Sequence, residues 1–320
     1  MRHFALKLQR PVVLLALTAL LAPAVALAAP VKGLPQSVLG APTGVDPQAA
    51  VRRWPTTLTT AEGRALIASR PGDSSGYVQV GLAALRSGDN AAAAKVLTEG
   101  RAKASPSAQL LVLLGAAWLG QSRVANAEEA TQAALALDPA IAGGQLQLGA
   151  IFTYIGWPES ALDCFERALA QSPGDSSAQC ALVYGLIGVG RAAQGEQECR
   201  GFLGSTMDNA GLLVVLGETL EAQEALKEAF NTYGRALVVD PRSADAHARR
   251  GRLFCRFGQF DAAATECRAA LAIDPSAALA HAYLGIAYAE QGQTEAAREH
   301  VLQAEAGGMR MDSVWGKLAQ

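Results

Sequence analysis

The sequence predicts an all-α fold, a superhelical α-solenoid of seven 34-residue helix–turn–helix repeats with a helical cap at each end. The first observation is a recurring segment: GWPESALDCFERALAQSPGD (156–175) resembles GQFDAAATECRAALAIDP (258–275) and GQTEAAREHVLQAEAGGM (292–309), at offsets that are multiples of 34. A fixed period of this size indicates stacked repeats. The second observation is composition, because half of the residues are apolar and the strand-type alternation of apolar and polar residues is scarce.

Residues 1–28 have the layout of a secretory signal peptide. Three basic residues precede an apolar run over 12–21, and small residues follow at 26–28, so we predict cleavage after Ala28. An uncleaved anchor is the alternative, but Pro23 interrupts the stretch that would have to span the bilayer. No cysteine precedes Cys164, which would be needed for a lipoprotein. We expect a periplasmic or secreted protein whose mature chain has no transmembrane segment.

The charge of the chain disfavours nucleic acid as a partner. The net charge is −2, and loss of the signal peptide removes three positive charges and gives −5. Nucleic-acid-binding proteins usually carry a basic field. We therefore predict no nucleic-acid partner.

A lead-in and a capping helix precede the repeats. Residues 29–56 contain prolines at 30, 35, 42, 47 and 55 and show no helical or strand period, which predicts a flexible lead-in. Residues 57–73, beginning TLTTAEGRALIASRP, fit a lone second helix in register with the repeats. This segment is predicted to be the N-terminal cap.

Seven repeats are predicted over residues 74–311. They begin at Ser74, Ala108, Ala142, Ser176, Ala210, Ala244 and Ala278. Position 8 is glycine and position 20 is alanine in every repeat but the fourth, which has Val183 and Gly195. Small side chains there let the two helices of a repeat approach, and larger ones at positions 4, 7, 11 and 24 fill the space between repeats.

The repeats have defined ends and one irregular member. Proline at position 32 ends the second helix in four repeats (Pro139, Pro173, Pro241 and Pro275). The fourth repeat has Met207 there and six glycines over 185–204, each costing about 0.5–1 kcal/mol relative to alanine within a helix. This predicts a kink or local softness near 185–206, with a tolerated irregularity as the alternative. Residues 312–320 are predicted to form the C-terminal capping helix.

This pattern resembles the tetratricopeptide repeat, a 34-residue helix–turn–helix unit with small residues at positions 8, 20 and 27. The resemblance extends from about residue 57 to residue 320. It implies a right-handed superhelix in which the first helix of each repeat, helix A, lines a concave groove. It also implies a protein or peptide partner rather than catalysis.

The resemblance places the ligand at positions 2, 5, 9, 12 and 13 of helix A. In repeats one to four the residues at these positions include Val78, Leu82, Leu85, Val112, Ala116, Leu119, Leu146, Ala150, Tyr154, Tyr184 and Ile187. The lysines and asparagine of the chaperone-binding variety of the family are absent, so that activity does not transfer. An apolar groove suits an amphipathic helix or an extended apolar segment. Two alternatives are that the lead-in covers this strip, or that it packs between neighbouring helices.

The groove changes character in repeats five and six. Arg249, Arg252 and Arg256 are close in sequence and could hold an acidic partner by bidentate pairing. Glu218 and Glu221, one repeat away, could instead neutralise them. Both interpretations remain open at this stage.

Histidines and cysteines give no pattern of a catalytic, metal or cofactor site. His247 and His281 occupy position 4, where core packing is expected, and His300 stands alone. The sequence lacks HExxH, CxxC and GxxxxGK[ST], so we predict neither a cofactor nor a metal. If the protein is exported, disulfides are possible. The candidate pairs are Cys164 with Cys180 and Cys255 with Cys267.

Together these features predict a non-catalytic adaptor. The resemblance to exported bacterial tetratricopeptide-repeat proteins implies a cell-envelope assembly or a secretion pathway as its setting. The alternatives are a self-assembling scaffold forming a homo-oligomer, an accessory subunit of an envelope enzyme, and a carrier of apolar small molecules.

Overall fold

The computed structural model describes residues 54–205 and 209–318, which form sixteen helices and contain no strand. The predicted signal peptide, almost all of the lead-in, and Met207 lie outside these residues. In the described ranges, each helix is too short or too polar to cross a membrane.

The helices alternate as a cap, seven A–B pairs and a second cap. Their bounds are α1 Thr60–Ser69, α2 Ser74–Arg86, α3 Asn90–Lys103, α4 Ala108–Leu119, α5 Val124–Leu137, α6 Gly144–Tyr154, α7 Pro158–Gln171, α8 Ser176–Gly188, α9 Ala192–Ser205, α10 Ala210–Ala222, α11 Leu226–Val239, α12 Ala244–Arg256, α13 Phe260–Ile273, α14 Ala278–Glu290, α15 Thr294–Ala306 and α16 Asp312–Leu318. Helix A is the even-numbered helix from α2 to α14, and helix B follows it.

Each helix packs mainly on its neighbours in the chain. Helix A contacts helix B of its own repeat and helix B of the preceding repeat, and most A helices also contact the next helix A. No repeat can bury its apolar face alone, so the core forms between repeats. The predicted fold class, an all-α solenoid of helical hairpins, is confirmed.

The glycines at position 8 are needed because helix B comes very close. A methyl group on Gly149 would overlap the Phe165 ring, and one on Gly217 would overlap the Tyr233 ring. Both rings are buried at position 24 of helix B. The predicted close approach at position 8 is therefore present, with an aromatic ring filling the space that glycine leaves.

The turn from helix A to helix B uses a left-handed residue at position 15 in every repeat. These residues are Gly88, Ser122, Gly156, Gly190, Glu224, Gly258 and Gly292. Ser122 and Glu224 have φ of 58° and 59°, a conformation that is uncommon for residues with a side chain. The turn geometry is thus kept even where glycine is missing.

The fourth repeat keeps its helices despite its glycines. Both α8 and α9 run unbroken, and Gly185 lies against Phe165 and Leu162, where a methyl group would crowd the ring. Gly201 has open space around it. These contacts favour the tolerated irregularity over the kink.

The end of the lead-in lies along α2. The Arg86 guanidinium donates a hydrogen bond to the Trp54 carbonyl oxygen, and the Thr57 N–H donates to Gln79 Oε1 over 3.3 Å. Gln79 and Arg86 are at positions 6 and 13, where later A helices meet the preceding helix A. Residues 54–57 therefore cover part of the surface that a further repeat would cover. Thr59 then starts α1 with a capping box to Glu62.

Candidate functional site

Most of the predicted groove residues are buried. Six of the nine main candidates are at most 8% exposed: Val78, Leu82, Leu85, Val112, Leu146 and Tyr184. Ala116 and Ala150, which have the same register, are buried as well. All of these side chains except Ala150 belong to core clusters that join neighbouring repeats. This corrects the sequence-based expectation that they form an open lining, because neighbouring A helices pack on one another at these positions.

Three predicted groove residues remain accessible. Tyr154, the last residue of α6, is 63% exposed. Leu119 at the end of α4 and Ile187 near the end of α8 are partly exposed. They occupy position 12 or 13 in three consecutive repeats, so we call them the repeat 2–4 strip. It is the part of the predicted groove that a partner can reach.

The arginines of the sixth repeat pair with glutamates of the fifth. Arg249 lies 2.5 Å from Glu218 and 2.9 Å from Asp245. The next pair, Arg252 with Glu221, is separated by 2.6 Å. The six side chains Glu218, Glu221, Glu224, Arg249, Arg252 and Arg256 form what we call the ion-pair ladder. It spans α10 and α12.

Tyrosine hydroxyls complete the ladder. Tyr184 and Tyr233 donate to Glu218 and Glu221 respectively, each over 2.7 Å. Burial raises the pKa of Glu218, although the adjacent Arg249 opposes this rise. Burial also raises the pKa of Tyr184 well above its usual range, so its hydroxyl stays a donor.

The ion-pair ladder contradicts the prediction that these arginines form an open patch for an acidic partner. Arg249 is 2% exposed, and Arg252 and Arg256 are largely covered and paired with carboxylates. The alternative in which Glu218 and Glu221 neutralise these arginines is the arrangement found. Long side chains suit this position because the α10 and α12 backbones approach less closely than those of most other neighbouring A helices.

The histidines at position 4 have polar partners rather than a purely apolar surrounding. His247 Nδ1 lies 2.7 Å from Glu266, and His281 Nδ1 lies 2.9 Å from His300 Nδ1. The other ring nitrogen of His281 is 3.0 Å from the Pro275 carbonyl oxygen. Among the described residues, no group of side chains has the geometry of a metal site.

Acidification is expected to destabilise the seventh repeat. Burial, together with the neighbouring His281, lowers the pKa of His300, while Glu299 opposes the shift and the Tyr288 ring packs beside it. In the unfolded chain a histidine has a pKa of about 6.5, so on acidification the unfolded state is protonated before His300 of the folded state. The free energy of unfolding therefore decreases as the pH falls below about 6.5. Hydrogen exchange in α15 between pH 7.5 and 5 should show this loss. His300→Gln should flatten the dependence, and an unchanged slope would contradict the assignment.

Neither candidate disulfide is present. The cysteines of the two pairs are not bridged, and Cys164, Cys255 and Cys267 are buried. Burial raises the pKa of the Cys164 thiol to about 11 and that of Cys255 to about 12. Thiols with such values are poor nucleophiles.

Two further features were not recognised in the sequence. A groove of about 630 Å³ lies between α1, α2 and α3, above Ala84. The second feature is Trp157, which is 55% exposed at the start of α7. Comparison of the repeats at positions 11 and 16 could have identified both, because each residue departs from its counterparts.

Stacked helical hairpins of constant length define the chain as an α-solenoid repeat protein. Family models described as "TPR repeat" and "Tetratricopeptide repeat" match residues 251–292 and 80–140. The chain therefore contains tetratricopeptide repeats. Proteins of this fold generally serve as scaffolds for protein–protein interaction and not as catalysts.

Solved structures agree on the fold. A tetratricopeptide repeat protein from Parabacteroides merdae is 17% identical with a TM-score of 0.60, covering 77% of this chain and 97% of that one. The match to the APC/C hetero-tetramer Cut9–Hcn1 is 15% identical with a TM-score of 0.59, covering 81% of this chain and 51% of that one. This chain thus spans about half of the second relative. No curated protein matches the sequence.

Proposed function

We propose that this protein is an exported, non-catalytic adaptor that holds a protein or peptide partner on the repeat 2–4 strip, within a cell-envelope assembly. The observation that carries the proposal is the exposure of Tyr154, flanked by Leu119 and Ile187 on neighbouring A helices. The layout of residues 1–28 supports export.

The partner surface should be apolar. The strip has its two aliphatic members on either side of a tyrosine, which offers a large apolar ring with a polar tip. The ion-pair ladder in the next two repeats is already neutralised, so it offers little attraction to a charged tail. An amphipathic helix laid across three repeats, or an extended apolar segment, fits this chemistry.

Tyr154→Glu is expected to abolish partner capture. A glutamate would bring an unpaired charge into an apolar interface, and loss of a central anchor typically costs at least about 2 kcal/mol of binding free energy. The measurement is in-cell cross-linking of the full-length protein in its own host, followed by purification and mass spectrometry. The same experiment gives the N-terminus of the recovered protein, which we expect to be Ala29.

Leu302→Glu provides the matched control, because Leu302 is 56% exposed on α15, far from the strip in the chain. A partner that is recovered with the wild type and Leu302→Glu, and lost with Tyr154→Glu, supports the adaptor. Recovery of the same proteins with all three would rule out the strip. An N-terminus that retains residues 1–28 would rule out cleavage of the signal peptide.

A further inference from the structure

The first repeat lacks the side chain that fills a recurring slot in the solenoid. Position 11 of helix A points between helix B of the preceding repeat and helix B of its own repeat. In repeats two to seven it holds Trp118, Phe152, Leu186, Leu220, Phe254 and Tyr288. The Phe254 ring, for example, packs edge-on against Phe230 of the preceding helix B at 5.0 Å. In the first repeat this position is Ala84.

The result is the groove of about 630 Å³ between α1, α2 and α3, which we call the first-repeat slot. Its walls include Ile67, Val80 and Val96, and its rim carries charges of both signs, among them Asp89 and Lys95. The equivalent space in the second repeat holds an indole, since Trp118 at position 11 is only 7% exposed. The neighbouring repeat therefore shows which kind of side chain this space accepts.

The same chain has another tryptophan whose indole ring is largely exposed to water. Trp157 is 55% exposed at position 16, where it packs on one side against Phe152 with ring centroids 5.7 Å apart. The other repeats have polar or small residues at position 16: Asp89, Arg123, Arg191, Ala225, Gln259 and Gln293. A large aromatic surface left in water is unfavourable, and its burial would contribute to association.

We propose that a second copy of this chain inserts Trp157 into the first-repeat slot. An indole fits the slot, and exposed Arg123 and Arg191, which flank Trp157 in the adjacent repeats, can pair with Asp89 and Glu99 of the slot lining, which also includes Arg64 and Lys95. Trp157 and one end of the slot, at Ser87 and Asp89, lie at the edge where helix A turns into helix B. Two copies that face each other by this edge can therefore each donate a tryptophan and each receive one, which gives a closed two-fold dimer.

The test is the mass of the protein in solution, measured by light scattering and sedimentation after expression of the full-length chain. We expect the wild type to associate reversibly, with a mass that rises with concentration. Trp157→Ser removes the inserted group, and Ala84→Phe fills the slot from within as the later repeats do. Each variant alone should remain monomeric. Leu302→Ser, at an exposed leucine elsewhere, should associate like the wild type.

Mixing the two variants gives the most specific outcome. The Ala84→Phe chain retains its tryptophan and the Trp157→Ser chain retains its slot, so an equimolar mixture should associate through one remaining contact. A higher melting temperature for Ala84→Phe would show that the loss of association is not misfolding. The proposal is overturned if the wild type is monomeric up to about 1 mM, if Ala84→Phe associates normally, or if the mixture stays monomeric. None of these outcomes depends on capture at Tyr154.

Discussion

Arg249→Met is expected to destabilise the protein by about 3–5 kcal/mol, the range observed when one partner of a buried ion pair is removed. Arg249 is 2% exposed and its guanidinium faces Glu218 at 2.5 Å, so the substitution leaves a covered carboxylate without its cation. Tyr184 still donates one hydrogen bond to Glu218, but a neutral donor compensates little of the lost charge pairing. Urea unfolding followed by circular dichroism, with hydrogen exchange in α10 and α12, measures the loss.

Combining Glu218→Gln with Arg249→Met distinguishes the cost of the unpaired buried carboxylate from the cost of losing the packing of the Arg249 side chain. If the unpaired carboxylate causes the loss, the double variant should recover a large part of the stability, because no charge remains to be buried. Equal destabilisation in the single and the double variant would mean that the packing of the Arg249 side chain carries the effect. Lys103→Met, at an exposed ion pair with Glu99, should change stability by less than about 1 kcal/mol.

Gly217→Ala is expected to be strongly destabilising, by about 1–3 kcal/mol, although alanine is the better helix former. The new methyl group would overlap the Tyr233 ring. This ring cannot swing away at low cost, because it is fully buried and its hydroxyl is bound to Glu221 over 2.7 Å. The measurement is again the free energy of unfolding in urea.

Gly201→Ala makes the same substitution within a helix but is expected to have the opposite effect on stability. Gly201 lies within α9 and has nothing within 4 Å of the added carbon. It should therefore stabilise the protein by about 0.5–1 kcal/mol through helix propensity alone. If both substitutions stabilise, helix A and helix B are not held at the close distance described for position 8.

The repeat architecture could be predicted from the sequence because it rests on local rules. The 34-residue spacing, the glycine at position 8 and the proline at position 32 each act within one hairpin. Helices α2 to α15 accordingly begin close to the expected residues of each repeat. The left-handed turn at position 15 was less visible, because Ser122 and Glu224 replace glycine there.

The candidate site could be predicted only in part. The repeat register predicted that Glu218 and Glu221 lie close to the arginines of the next repeat, and they do. It did not show whether these arginines pair with the glutamates or form an open patch. It also placed Val112 and Tyr184 on the groove side without showing that neighbouring helices bury them. Accessibility depends on how closely two A helices approach, and this distance is set by side chains from three or four helices at once.

The sequence by itself thus determined the class of fold, the number of repeats and the register of each helix, because these follow from periodic patterns within short segments. Only the tertiary structure decided which side chains remain accessible. It buried most of the expected groove, closed the ion-pair ladder, exposed Tyr154 and Trp157, and left a slot above Ala84. The physical reason is that burial is a property of the space between repeats, where a side chain is covered or exposed according to its neighbours.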